Sequence, residues 1–315
     1  MVATSAKSVQ RVSLSWVLIS VVALISVLAA SSLQLAVNDL VLIQVRAFAF
    51  AAGLYGLGRL LVWIGDRRSS VVLTSGGRFF CSAGKLGIFL VFAGLAQYEV
   101  GATNFPLVDD LLLRADSALG FDWEAWSGWL AHNHLWREAL FFAYSSPLWQ
   151  MLLLGTAHCT RTGNDRNEEL ICCFMVSLII VYICAIFFPA LGRPGLIGQH
   201  HIDVLVAARS GKVTDFDGII TFPSFHSALG ALLIYSARPI KSVFVGALLL
   251  NLLLIAATPP VGGHYVVDTL AGVLVAVMTI GIVNARSRFG CGPLTDGVLS
   301  RSEVFRRDWR SRPLQ

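Results

Sequence analysis

Leu170 to Gly192 is a run of 23 residues without a charge. A run that long must lie in lipid or be enclosed on every side, and about 20 apolar residues cross a bilayer as a helix. The pattern recurs along the chain, with apolar runs separated by short polar segments. Only 14% of the 315 residues are charged, 56% are hydrophobic, and the mean hydropathy is +0.70. A soluble domain carries roughly 25–35% charged residues on its surface. The expected fold is therefore all-α, a polytopic bundle of transmembrane helices. Eight spans are predicted, near 13–33, 41–63, 85–104, 138–158, 168–190, 224–237, 240–258 and 264–284. The sixth is short and is required to join two well-marked ends. The first run is long and no A-x-A site precedes a soluble domain, so it is expected to be a span, not a cleaved signal.

Lysine and arginine set the orientation. With the N-terminus called inside, the inner segments are 1–12, 64–85, 159–167, 238–241 and 285–315. They hold 17 of the 24 basic residues, among them Arg67, Arg68, Arg78, Lys85, Arg161, Arg166, Arg238, Lys241 and seven arginines of the tail. The outer segments hold Arg114, Arg137, Arg193, Arg209 and Lys212. This bias places both termini in the cytoplasm and suits a bacterial inner membrane. The net charge of +5 is thus an orientation signal and not a nucleic-acid footprint. The six cysteines have no paired spacing, so neither a disulfide framework nor a zinc motif is expected.

Residues 106–135 are too charged to span. Trp123, Trp126 and Trp129 recur every three positions, as expected of an interfacial helix or helix pair with its tryptophans at headgroup level. Asp109 and Asp110 begin what would be a DDxxD metal motif, but position 113 is leucine. They are expected to be solvated surface acids.

Two polar stretches stand at the mouths of apolar runs. FPSFHSA, residues 222–228, opens the sixth span, and GGHYVVDTLAG, residues 262–272, opens the eighth. The predicted topology puts both on the outer side, with Arg193 of FFPALGRPG at the outer end of the fifth span. Pro223 suits the first turn of a helix. The free N–H groups near Ser224 and Phe225 would form an anion site supported by the helix dipole, and the Ser224 hydroxyl would add a donor. His226 lies one turn inward, close to that anion site. His264 and Asp268 are four residues apart and share a helix face. A carboxylate there keeps one imidazole nitrogen protonated and leaves the other as nucleophile or base. Two histidines, an acid, a cation and a helix terminus together suit phosphoryl transfer without a metal or other cofactor.

These stretches resemble the second and third signature motifs of the type-2 phosphatidic acid phosphatase superfamily, and GRP at 192–194 resembles the end of its first. The FPSxHS and GHYxxD forms are most similar to the branch that includes inositol phosphorylceramide synthases. The resemblance covers about residues 105–285. It implies that His264 is the nucleophile, Asp268 its orienting partner and His226 the general acid, with Arg193, Ser224 and the Phe225 amide on phosphate. It also implies a six-helix core over 85–285, with 1–84 as an extension of two spans and 286–315 as a basic cytoplasmic tail. The substrate would be a lipid phosphate or a phospholipid headgroup presented by membrane lipids.

Two cations of the family pattern are missing: Ile186 stands where the first motif has lysine, and Thr258 where the third has arginine. Arg209 or Lys212 on the outer loop would have to substitute, or the substrate is a less charged phosphodiester. Bland readings stand beside these. A His/Asp pair four apart is a common structural pair, and it is the coincidence with FPSFHSA on one side that favours chemistry. Arg193 reads equally as an interfacial anchor. His200 and His201 are expected in a solvated loop. A protein that keeps this fold only to bind or carry lipid is the alternative function.

Overall fold

The computed structural model of the protein describes residues 13–30, 38–162, 164–193, 199–212 and 218–288. The first twelve residues, Pro194, Asp215, Asp217 and the tail from 289 onward lie outside them. The described elements are helices: α1 (Leu14–Ala30), α2 (Asn38–Arg68), α3 (Val71–Ala102), α4 (Asp109–Ala118), α5 (Trp123–His132), α6 (His134–Tyr144), α7 (Pro147–Ala157), α8 (Asn164–Phe187), α9 (Gln199–Arg209), α10 (Phe225–Ala237), α11 (Lys241–Gly262) and α12 (Val266–Arg288). A π-helical turn, His158–Thr162, continues α7.

Five helices, α2, α3, α8, α11 and α12, are long and apolar enough to cross a membrane, while α1 and α10 are apolar but shorter. The chain is thus a polytopic helical bundle. Most of the uncharged run, from Leu170 to Phe187, lies in α8, the most enclosed of the five, and α8 packs against α1, α3, α10 and α12. Phe174, Met175 and Leu178 of α8 meet Phe89 of α3 and Leu229 and Leu233 of α10 in one cluster. On its other side Cys172, Cys173 and Val181 meet Ala228, Leu232, Val275 and Ala276 in a second.

One span and one loop differ from expectation. The stretch 138–158 is not one helix but α6 and α7, broken at Ser145–Ser146. Pro147 begins α7 and has no N–H to give the Ala143 carbonyl four residues back. The Ser146 hydroxyl donates to that carbonyl instead, at 2.6 Å, and the helix restarts. The predicted inner loop 64–85 is mostly helix. α3 begins at Val71, directly after a turn in which Ser70 caps the helix by accepting from the Leu73 N–H at 3.4 Å. Arg78 and Lys85, counted as loop cations, are therefore buried on α3. Lys85 is 1% exposed and is held by Glu168, itself 2% exposed, at 3.0 and 3.1 Å. Ser82 and Ser15 donate to the same carboxylate, and Asn167 donates to Ser82. A charge read as solvated is here neutralised inside the bundle, which is the condition for burying it. Glycine makes the α2–α3 hairpin close enough: a Cβ at Gly77 would stand 2.6 Å from the Val62 nitrogen.

Candidate active site

α12 starts in a sharp reversal. Gly263 ends α11 in the left-handed region, at φ 69°, where a residue without Cβ is at no disadvantage. His264 follows, 7% exposed, and Asp268 is fully buried one turn on. His264 Nδ1 and Asp268 Oδ2 are 2.6 Å apart. The carboxylate thus engages Nδ1 and turns Nε2 outward. Asp268 Oδ1 is buried without a hydrogen-bond partner among the described residues.

α10 begins beside this turn. Ser224 is its cap, so Pro223 stands before the helix and not in its first turn as expected. The Ser224 hydroxyl accepts from the Ser227 N–H at 3.4 Å and from the Ser227 hydroxyl at 3.3 Å, leaving its own proton to donate. The Ser224 N–H is spent on the Asp268 carbonyl at 3.3 Å. The N–H groups of Phe225 and His226, as first helical residues, have no acceptor within the helix. The Phe225 ring packs edge-on to Phe174 at 5.0 Å and pins the helix start. The two helices meet backbone to backbone: a Cβ on Gly272 would lie 2.1 Å from the Ser224 carbonyl oxygen.

Arg193 arrives from the end of α8. Its N–H donates to the Gly263 carbonyl at 2.8 Å, which ties the first motif to the third. Its guanidinium lies 4.0 Å over the Trp123 ring, and its Nη1 is buried without a partner among the described residues. Burial lowers the Arg193 pKa, opposed by the negative charges of Asp116 and Glu124; a guanidinium remains charged regardless. A cation with an unspent donor is what an incoming anion needs.

The organiser is α4, which the sequence reading left at the surface. Asp116 is fully buried. It accepts from the N–H groups of Val266 and Val267 at 3.0 and 2.9 Å and from Trp123 Nε1 at 3.0 Å. It therefore caps α12 from another helix and fixes the ring on which Arg193 rests. Asp109, seven residues earlier and on the same face, accepts from the N–H groups of Leu191 and Gly192 at 3.1 and 2.9 Å and from the Tyr265 hydroxyl at 3.1 Å. Asp109 is thus not a solvated acid, though Asp110 is exposed. Trp123 is buried, with its indole on Asp116 and under Arg193, whereas Trp129 is exposed. Their three-residue spacing did not reveal which ring had a partner.

A family model, the PAP2 superfamily, matches residues 110–282, more than half of the chain and every site residue above except Asp109, which directly precedes it. The chain belongs to the PAP2 superfamily. No curated protein and no solved structure matches it. Of the cation positions this PAP2 chain lacks, Ile186 is half-buried. Thr258 is fully enclosed and its hydroxyl donates to the Leu254 carbonyl at 3.0 Å. The proposed substitutes stand elsewhere. Arg209 ends α9, which packs on α3, and its Nη2 donates to the Phe105 carbonyl at 3.1 Å; Lys212 is exposed in the turn beyond. Neither hydrogen-bonds to a described site residue. His200 and His201 belong to α9 and not to a loop.

One further residue at this PAP2 site had no signal in the sequence. Tyr144, the last residue of α6, stacks on His226 with ring centroids 4.3 Å apart and planes 17° from parallel. Among the described residues, neither His226 nor His264 has a hydrogen-bond partner at Nε2.

Proposed function

We propose that this PAP2 chain is an integral membrane lipid phosphatase or phosphotransferase working through a phosphohistidine. Membership of a superfamily of phosphatases and phosphotransferases supports phosphatase-type chemistry on a lipid phosphate. The observation that carries the finer reading is the 2.6 Å contact of His264 Nδ1 with buried Asp268. His264 Nε2 attacks phosphorus, and the bond from phosphorus to the leaving oxygen breaks. His226 Nε2–H protonates that oxygen. Arg193, the Ser224 hydroxyl and the first amides of α10 hold the equatorial oxygens. Water or an alcohol then gives a proton to His226 and attacks phosphorus, and the P–N electrons return to His264. These groups supply the charge compensation, so turnover is expected to persist in chelator.

The substrate is a lipid phosphate or a phospholipid headgroup. With Arg193 as the cation and neutral residues at 186 and 258, a singly charged phosphodiester is favoured over a monoester. That agrees with the likeness to the inositol phosphorylceramide synthase branch. The excess of lysine and arginine in the inner segments supports a site on the periplasmic face of a bacterial inner membrane. The same two missing cations favour one rival, a lipid-binding protein without turnover. The deciding experiment offers purified protein a headgroup-labelled phospholipid and a labelled phosphatidate, with and without ceramide or diacylglycerol. Free phosphate from wild type but not from His264→Ala supports the phosphatase, and label on the acceptor supports the transferase. Equal turnover in His264→Ala, or none in wild type, overturns the reading.

A further inference from the structure

The reaction just described makes no use of Tyr144, yet its phenol is in contact with the proposed acid. Besides the ring stack, its hydroxyl oxygen is 3.3 Å from His226 Nδ1. The same oxygen faces Gly262. A Cβ there would stand 2.6 Å from the Tyr144 oxygen and 2.8 Å from His264 Cδ2. Glycine at 262 is therefore what lets the phenol enter between the two histidines. Tyr144 is itself fixed, because Leu140 of α6 packs on Ala257 of α11 together with Tyr144 and Val261, and α6 ends where Pro147 interrupts it.

An imidazole flips about χ2 at little cost, and an acid is useful only with the right nitrogen within hydrogen-bond reach of the leaving oxygen. The partner of one ring nitrogen decides the role of the other. We propose that Tyr144 is a positioning residue: its ring holds the plane of the His226 imidazole, and its hydroxyl occupies Nδ1. Nε2 is thereby the nitrogen presented to the departing oxygen. The inference rests on the phosphohistidine reading, and it adds a residue outside the three motifs.

The test separates positioning from folding by the leaving group. The same phosphoryl group is offered on a lipid alcohol, which leaves as a strongly basic alkoxide and needs a proton, and on 4-nitrophenol, which leaves as a stable anion. Leaving-group release is followed in the first turnover, so that only formation of the phosphohistidine is observed. General acid catalysis contributes about 10²- to 10⁴-fold. Tyr144→Phe, which keeps the ring, should slow release of the lipid alcohol about tenfold, and Tyr144→Leu about a hundredfold. Both should act on the nitrophenyl ester at close to the wild-type rate, with the unfolding midpoint unchanged in Tyr144→Phe. His226→Ala, measured alongside, should show the same preference for the nitrophenyl ester in stronger form.

If His226→Ala shows that preference and the Tyr144 variants do not, Tyr144 does not position the acid and the reaction reading survives. If the Tyr144 variants slow both esters alike, the tyrosine is only structural and the inference is overturned. If His226→Ala slows both esters equally or neither, His226 is not the acid, and the inference falls with the reading beneath it.

Discussion

Asp116→Ala tests whether α4 builds the site from a distance. The carboxylate is fully buried and accepts three N–H groups. Truncation leaves the Val266 and Val267 amides and the Trp123 indole without their acceptor. Each buried donor left unsatisfied costs about 1–3 kcal/mol, and neighbouring losses are not fully additive. The variant should therefore lose about 3–6 kcal/mol of stability. The damage is placed where it matters: the first turn of α12 carries Asp268, and Trp123 carries the Arg193 guanidinium. A displacement of about 1 Å in such groups costs about a hundredfold in rate. Asp116→Asn keeps one carbonyl oxygen and should fall between. Asp110→Ala, on the same helix but exposed, is the control. The assay is unfolding midpoint and kcat/KM on a lipid phosphate in detergent. If Asp116→Ala matches Asp110→Ala in both, the carboxylate does not organise the site.

Asp268→Asn keeps shape but not charge beside His264, and kcat should drop about 10²- to 10⁴-fold with KM little changed; a KM effect alone would refute an orienting role. Lys85→Met takes away the ammonium held at 3.0 Å by the buried Glu168 carboxylate and should cost about 3–5 kcal/mol, most of it recovered by adding Glu168→Leu. Detergent unfolding checks this, and a single variant as stable as wild type would show the pair to be dispensable. Gly272→Ala would drive a Cβ to 2.1 Å from the Ser224 carbonyl oxygen, so it should part α10 from α12 and abolish turnover. Gly246→Ala, where nothing lies within 4 Å, should act as wild type, and equal activity in the two would contradict the contact.

Hydropathy and motif spacing are local properties, and what depends on them was legible. The run from Leu170 is a spanning helix because no other structure satisfies its backbone in lipid. His264 and Asp268 meet because positions four apart share a helix face. Ser224 and Phe225 open α10 because a serine followed by an apolar run is a helix start. Local reasoning failed where a residue's partner was distant. The stretch 138–158 has the apolar length of one span, but it breaks at Pro147, where the Ser146 hydroxyl takes the Ala143 carbonyl. Lys85 was placed in a loop because a lone lysine belongs in water; its partner is 83 positions away.

The amino-acid sequence by itself determined a helical membrane bundle, the three polar motifs and the pairing within the third. The tertiary structure decided how those motifs are held in one register. Asp109 and Asp116 do it by accepting backbone N–H groups 82 to 151 positions away, and Tyr144 by lying on His226 from 82 positions away. A buried carboxylate is tolerated only with donors. Whether donors are present depends on which chain segments the fold brings beside it, and no spacing in the sequence records that.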